Sequence, residues 1–185
     1  MILLGVTGSI AAYKAAEILR LLLKNKQEVQ VLMTPAATQF VGPLTFQSLS
    51  GRPVLLSPLE ASAWVTTAHI SLTERASALV VAPATADSLA RAAHGEASDM
   101  ISASLLSIPR DRSNKPTIPI FLAPAMHDAM WRHPATQANV KILQSYGYHF
   151  IGPEQGNLSR AGDRGWGRMT EPAEIVKILL KSLTR

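Results

Sequence analysis

The most chemically distinctive loop of this sequence carries soft, apolar side chains together with one imidazole. An apolar run ends at Pro124, and directly after it come Met126, His127, Met130 and Trp131. In an open α/β sheet, ligands bind in the crevice beyond the carboxyl ends of the strands. A loop of this composition suits a flat, redox-active ring better than a phosphate group. We therefore expect a site for such a ring where this strand ends.

A second candidate site lies at the turn that follows the first apolar run. Its glycines, Gly5 and Gly8, do not form the G-x-G-x-x-G pattern of dinucleotide sites, and Thr34 stands where that pattern needs a carboxylate. We therefore discount NAD. The turn still opens a helix whose free N–H groups, together with the hydroxyls of Ser9 and Thr34, suit one phosphate. The turn alone leaves open the alternative that its glycines only make a tight strand–helix connection.

Two further polar groups could face the same crevice. His69 lies ahead of the third apolar run, and on its own it is more typical of a surface or capping histidine. Asp87 and Ser88 follow the strand that is interrupted at Pro83. Either residue could cap the next helix. Either could also line the crevice, because this strand should lie beside the first.

The order of apolar runs and helical periods predicts one α/β domain over residues 1–185. Strands are predicted at residues 2–6, 28–33, 79–82, 118–123 and 148–151, and the first of them is an uninterrupted apolar run, typical of a strand buried on both faces. Amphipathic spacing predicts helices over residues 10–24, 43–50, 84–93, 98–106 and 134–146, and from residue 172 onward. The βαβ opening implies parallel strands. We therefore expect a Rossmann-like or flavodoxin-like three-layer fold with a mostly parallel sheet.

Composition and charge limit the classes of partner. The 185 residues are 47% apolar, 17% charged and 5% aromatic, contain no cysteine, and carry a net charge of +5. Scattered positive charge with few aromatic rings favours small anionic molecules over nucleic acid. We expect no metal site, because thiolates are absent and the other histidines lack metal-ligand spacing. No apolar run approaches the ~20 residues of a membrane span, and no signal peptide is evident, so we expect a cytoplasmic protein.

Residues 152–168 form a segment rich in glycine and charge that cannot build a core. Its arginines, including Arg168, predict a mobile flap that closes over an anion. The alternative is a disordered surface loop.

Five blocks of the sequence resemble one known family, the homo-oligomeric flavin-containing cysteine decarboxylases. The likeness runs from Met1 to about Leu180 and rests on residues 5–14, 68–72, 82–89, 123–131 and 161–169. Each block alone is weak, but five blocks in the right order and spacing are specific. Within the family, the resemblance is closest to the branch that decarboxylates 4′-phosphopantothenoylcysteine to 4′-phosphopantetheine in coenzyme A biosynthesis.

The resemblance implies FMN as cofactor and assigns residues to it. The FMN phosphate would be held by Gly8, Ser9 and Ile10, with Thr34 nearby. The flavin would lie against Thr85, Ala86, Asp87, Ser88 and Ala125. Members of the family assemble as trimers, or as dodecamers built from trimers, with FMN near a subunit contact.

The resemblance also implies a lyase mechanism and its residues. Oxidation of the substrate's cysteine side chain to a thioaldehyde would place the carboxylate β to C=S, so that CO₂ leaves readily and the electrons then return from the cofactor. His69 would act as base or orienter, and His127 would hold the substrate carboxylate. The remaining predicted substrate-binding residues are Met130, Ala161, Asp163 and Arg168.

The sequence departs from the family pattern at two positions. His127 replaces the usual asparagine, although an imidazole can also donate a hydrogen bond to a carboxylate. Ala161 replaces a flap cysteine that donates a proton when the product double bond is reduced. Asp163, Ser159 or water would have to donate that proton instead.

The sequence is also compatible with three other functions. A peptidyl-cysteine decarboxylase of the lantibiotic type is compatible with Ala161. A prenyl-FMN synthase-like transferase would share the glycine turn and the sheet, but would not need the pair of His69 and His127. A flavin-binding regulatory subunit without turnover is compatible with the missing flap cysteine.

Overall fold

The computed structural model describes residues 1–57, 68–158 and 163–184 of the chain. Its strands are β1 (Ile2–Val6), β2 (Val29–Met33), β3 (Ala78–Ala84), β4 (Ile120–Pro124), β5 (His149–Phe150), β6 (Glu154–Asn157) and β7 (Arg164–Arg168). Its α-helices are α1 (Tyr13–Lys24), α2 (Pro43–Ser50), α3 (Ala68–Arg75), α4 (Ala86–His94), α5 (Met100–Ser107), α6 (Asp128–Arg132), α7 (Pro134–Ser145) and α8 (Pro172–Leu183).

The first five strands form one parallel sheet in the order β2-β1-β3-β4-β5. This is the strand order of flavodoxin-like folds, in which the crossover direction reverses beside the first strand. Every residue of β1 to β4 is buried, as expected for strands covered on both faces. The prediction that the third strand lies beside the first is confirmed, because Ile2 is in register with Ala78.

Helices cover both faces of the sheet and divide the core in two. On one face, α1 and α8 pack together and bury Ile18, Leu22, Ile175 and Leu179. On the other face lie α4, α5 and α7, whose inward side chains include Ile101. This three-layer α/β arrangement is the predicted fold class.

The helix boundaries follow local capping chemistry. Thr85 caps α4 by accepting the backbone N–H of Ser88, so the cap is not Asp87 or Ser88. Gly95 ends α4 in the left-handed region, with φ of 71°. A capping box of Asp99 and Ser102 starts α5.

Two parts of the chain differ from the sequence prediction. The sequence predicts no helix between residues 50 and 84, but α3 spans Ala68–Arg75; residues 58–67 lie outside the described residues. The flap was expected to lack regular structure, but β6 and β7 pair as an antiparallel hairpin. Glycines are unfavourable in strands, so their number in this segment hid the hairpin. No helix among the described residues is both long and apolar enough to cross a membrane.

Candidate active site

The carboxyl ends of β1, β2 and β3 border a cleft of ≈ 670 Å³, which we call the sheet-end cleft. Its volume falls within the range of small-molecule sites, roughly 300–1,000 Å³. Among its lining residues are the predicted Gly8, Ser9, Thr34, Thr85, Ala86, Asp87, Ala125 and Met130.

A smaller cleft of ≈ 320 Å³ adjoins it beneath the β6–β7 hairpin, and we call it the hairpin cleft. The two clefts share Ser9, Ala125 and Met126. The hairpin cleft also contains the predicted Ile10, His127 and Arg168, together with Lys14, which the sequence analysis did not single out.

The floor of the sheet-end cleft is fixed by a buried hydroxyl. The Thr7 Oγ1 donates to the Pro83 carbonyl at 2.7 Å and accepts the Thr85 backbone N–H at 3.2 Å. Thr7 is 1% exposed. Because it bridges the loops that follow β1 and β3, it fixes the spacing between them.

The loops after β1 and β2 approach each other closely at Gly8. A Cβ atom at Gly8 would lie 2.6 Å from the Ala36 Cβ, which is closer than side-chain carbons pack. Nearby, the Thr34 Oγ1 accepts the Ala37 N–H and the Ser9 Oγ accepts the Ala11 N–H, both at 3.2 Å. Each hydroxyl therefore keeps its own proton for a ligand.

This floor fits an anionic group and a flat ring. A bare glycine turn with two available hydroxyl protons is suited to a phosphate. The small apolar side chains of Ala86 and Ala125 and the thioethers of Met126 and Met130 line the rest of the cleft. Such polarisable, adaptable surfaces suit a planar ring.

The start of α4 contributes one charged pair to the cleft. Asp87 lines it and pairs with Arg91 at 2.9 Å. The hydrogen bond that Arg91 donates to Asp87, followed by the negative charge of Asp87, raises the pKa of Arg91. Ser88 lines neither cleft, and its hydroxyl donates to the Thr85 carbonyl at 2.8 Å.

His127 caps α6 and has both ring nitrogens facing defined groups. Its Nδ1 accepts the Ala129 N–H at 3.2 Å, so the neutral ring carries its proton on Nε2. The Nε2 lies 3.4 Å from the Asp163 Oδ2, and the His127 side chain is 51% exposed. The structure thus brings His127 and Asp163 together, as the predicted substrate site requires.

The β7 strand lies directly against the His127 loop. The Met126 N–H donates to the Gly167 carbonyl at 3.0 Å, and the Trp166 N–H donates to the Asp128 Oδ1 at 2.7 Å. The Trp166 N–H and then Arg132 lower the pKa of Asp128. The sequence alone did not indicate a role for Asp128. The alternating Gly165 and Gly167 were the only signal of a close backbone approach.

An ion cluster holds the end of the hairpin where β6 begins and β7 ends. Glu171 accepts from Lys14 at 3.0 Å and also pairs closely with Arg168. Lys14, followed by Arg168, lowers the pKa of Glu171. Arg168 lies 3.9 Å from Glu154 as well.

His69 is separate from the other predicted site residues. It lies on α3, which packs against α5, and among the described residues it lines neither cleft. Its Nδ1 is buried without a hydrogen-bond partner among the described residues. Ser88 and Asp163 also line neither cleft. Ala161 lies outside the described residues, as does Ser159. Within the described part of the chain, no group of three metal-ligating side chains is assembled.

Comparison with known families gives one match across nearly the whole chain. The family described as Flavoprotein matches residues 1–184.

Individual proteins are also similar to this chain. The coenzyme A biosynthesis bifunctional protein CoaBC of Haemophilus influenzae is 45% identical over 178 residues, which cover 96% of this chain and 42% of that protein. The chain therefore spans less than half the length of this relative.

Two solved structures are similar over nearly their full length. A PPC decarboxylase mutant complexed with pantothenoylaminoethenethiol has a TM-score of 0.84 and 28% identity, with 100% of this chain and 98% of that chain covered. The FMN-dependent cysteine decarboxylase SpaF has a TM-score of 0.77 and 30% identity, with 98% and 95% covered.

Proposed function

The chain belongs to the Flavoprotein family, and we propose that it catalyses the FMN-dependent decarboxylation of 4′-phosphopantothenoylcysteine to 4′-phosphopantetheine in coenzyme A biosynthesis. In this proposal, residues 1–185 form one decarboxylase domain, with residues 152–168 as its substrate flap. The observation that carries the proposal is the pair of adjoining clefts. One fits a flat ring with a phosphate, and the other presents His127 beside it.

FMN would occupy the sheet-end cleft. The turn of Gly8, Ser9 and Ile10, with Thr34, would hold its phosphate, and the flavin would lie against Thr85, Ala86, Asp87 and Ala125. Ser88 would contribute only by supporting the Thr85 turn, because its hydroxyl is bonded there. When bound, FMN supplies a two-electron acceptor next to the substrate thiol.

His127 would hold the substrate carboxylate before CO₂ leaves. The Ala129 N–H donates to the His127 Nδ1. The proton of the neutral imidazole is therefore on Nε2, on the side that faces the hairpin. An Nε2–H donor can bind a carboxylate oxygen in the way that an asparagine amide does. Met130, Asp163 and Arg168 would complete the substrate site.

His69 would act at the cysteine end as base or orienter, contributing about 10²–10⁴-fold. Because His69 lines neither cleft of its own chain, it would reach the substrate at a subunit contact. Exposed apolar side chains near both features support such a contact: Ile10 (60%) and Tyr13 (61%) beside the hairpin cleft, and Ile70 (42%) beside His69. We therefore propose a homo-oligomer, either a trimer or a dodecamer built from trimers.

The proton donor of the reductive step is one of three groups. Asp163 is the described candidate, because it already lies beside His127. Ser159 and water are the others.

The proposal is tested by measuring CO₂ release with matched substrates. We expect release from 4′-phosphopantothenoylcysteine and much slower release from a peptide that ends in cysteine. Faster release from the peptide would favour the peptidyl-cysteine decarboxylase, and prenyl transfer from dimethylallyl phosphate would favour the prenyl-FMN synthase. FMN binding without turnover of any substrate would favour the regulatory subunit.

The role of His69 has its own test. We expect His69→Asn to keep FMN and to lower the rate of CO₂ release by about 10²–10⁴-fold. An FMN-loaded variant that releases CO₂ at the original rate would show that His69 has no such role.

A further inference from the structure

Asp128 connects the His127 loop to the hairpin that covers it. Its Oδ1 accepts the Trp166 backbone N–H at 2.7 Å. The Arg132 Nε donates to both carboxylate oxygens, at 3.0 and 2.9 Å. One carboxylate therefore joins α6 to β7, which lies 38 positions away along the chain.

Strand β7 lies too close to this loop for any side chain to fit between them. A Cβ atom at Gly165 would lie 2.6 Å from the Asp128 Oδ1, and one at Gly167 would lie 2.0 Å from the Met126 carbonyl oxygen. Gly167 also has φ of 120°, in the left-handed region that favours glycine. The two glycines thus allow the bond between Asp128 and Trp166 to form.

The position of β7 sets the shape of the hairpin cleft. Gly167 and Arg168 line this cleft together with His127, whereas Asp128 is not among its described lining residues. Asp163, just before β7, lies 3.4 Å from the His127 Nε2. Any shift of β7 would therefore move one wall of the cleft relative to His127.

We propose that Asp128 is a positioning residue that holds β7 against the His127 loop and thereby sets the affinity of the hairpin cleft for its substrate. This inference rests on the proposed function, since it takes the carboxylated substrate to bind in that cleft. Asp128 lines neither cleft and would therefore not touch the reacting atoms. It therefore controls binding and leaves the rate of the chemical step unchanged.

The bond to the Trp166 amide, and not the ion pair with Arg132, carries this role. Arg132 is 61% exposed, and exposed ion pairs contribute little in water. The ion pair also joins two residues of α6 to each other, whereas the bond to Trp166 joins α6 to β7. Asparagine can accept the same N–H without a charge, whereas alanine cannot accept it.

The test compares KM and kcat for CO₂ release from 4′-phosphopantothenoylcysteine in three variants. Asp128→Ala should raise KM about tenfold and leave kcat within about twofold of the original value. Asp128→Asn should restore KM to within about twofold of the original. Asp111→Ala is the matched control, since the Asp111 carboxylate also accepts two backbone N–H groups, from Ser113 and Lys115, in an exposed turn outside both clefts. It should leave both constants unchanged.

Backbone hydrogen exchange of the Trp166 N–H provides a second measurement that needs no turnover. We expect about tenfold faster exchange in Asp128→Ala than in Asp128→Asn or the original protein. If the original protein releases no CO₂, the proposed function is wrong, and the dissociation constant of the same substrate replaces KM in the comparison.

Three results would overturn the inference. An unchanged KM in Asp128→Ala would mean that the docked strand does not set affinity. A fall in kcat at constant KM would place Asp128 in the chemistry itself. Equal impairment of the asparagine and alanine variants would mean that the bond to Trp166 is not the contact that matters.

Discussion

The floor of the sheet-end cleft and the β6–β7 hairpin that covers the hairpin cleft are held in place by different kinds of interaction. The floor depends on buried groups, with Thr7 1% and Thr34 8% exposed, and on hydrogen bonds to the backbone. The hairpin depends on the charged side chains of Asp128 and Glu171, which are 28% and 50% exposed.

This difference indicates that the floor and the hairpin have different roles. Buried, neutral contacts in close packing allow little adjustment, so the floor is preorganised for one ligand. Exposed charged contacts are weaker and respond to salt and pH. The hairpin can therefore adjust while the floor remains fixed.

The largest effect is expected from adding one methyl group to the floor. Gly8→Ala would force the new Cβ against Ala36, at 2.6 Å from its Cβ in the present geometry. Overpacking of this kind costs about 1–3 kcal/mol, so we expect FMN affinity to fall by about 5- to 150-fold. Fluorescence titration with FMN measures this change.

Gly42→Ala is the control, because a Cβ there meets nothing within 4 Å and φ is −65°. Its FMN affinity should match the original. An equally weak Gly42→Ala variant, or a Gly8→Ala variant that binds FMN normally, would contradict the steric account of the floor.

A smaller effect is expected from removing the hydroxyl that joins the two floor loops. Thr7→Val keeps the shape but leaves the Pro83 carbonyl and the Thr85 N–H without their partner. An unsatisfied buried polar group costs about 1–3 kcal/mol. We expect the free energy of unfolding, measured in denaturant, to fall by that amount, and Thr7→Ser to lose much less. Equal stability of Thr7→Val and the original protein would contradict this prediction.

Acid should loosen the hairpin before it affects the floor. Asp128 and Glu171 both have a lowered pKa in the folded protein, because of the Trp166 N–H for the first and Lys14 for the second. The stability that they contribute is therefore present above their unfolded pKa values, about 4, and is lost as the pH falls through the folded values. Hydrogen exchange should show the Trp166 N–H losing protection in that range before the Thr85 N–H does. Simultaneous loss at both sites would contradict the comparison.

The smallest effect is expected at the far end of the hairpin. Glu171→Gln removes the charge that joins Lys14 to Arg168, but the side chain is half exposed, so we expect a loss below about 1 kcal/mol. Glu174→Gln is the control, because Glu174 pairs with Lys177 within α8. Thermal unfolding should show a lower Tm for Glu171→Gln than for the control, and a reversed order would contradict the assignment.

The sequence predicted the floor better than the hairpin for a physical reason. Parallel strands end at one edge of a sheet, so the predicted strands indicated that Gly8, Thr34 and the residues after the third strand would converge, and the family resemblance assigned Thr85 among them. The contacts of Asp128 and Glu171 join positions 38 and 157 residues apart. No local pattern encodes such a pairing.

The two short helices were missed for a related reason. In α6 only five residues are helical, and in α3 the large apolar residues are Ile70 and Leu72, which are two positions apart. Neither stretch therefore shows a clear helical period. The prediction that His69 and His127 act in one reaction stays a prediction. Of these two histidines, only His127 lines a cleft of the single chain.

The most direct test of the account is the visible absorption spectrum of the purified protein, recorded before and after FMN is added. We predict a flavin spectrum at one FMN per chain, and loss of bound FMN in Gly8→Ala but not in Gly42→Ala. A protein that is colourless as purified and takes up no added FMN would contradict the claim that a flavin lies across the ends of the parallel strands.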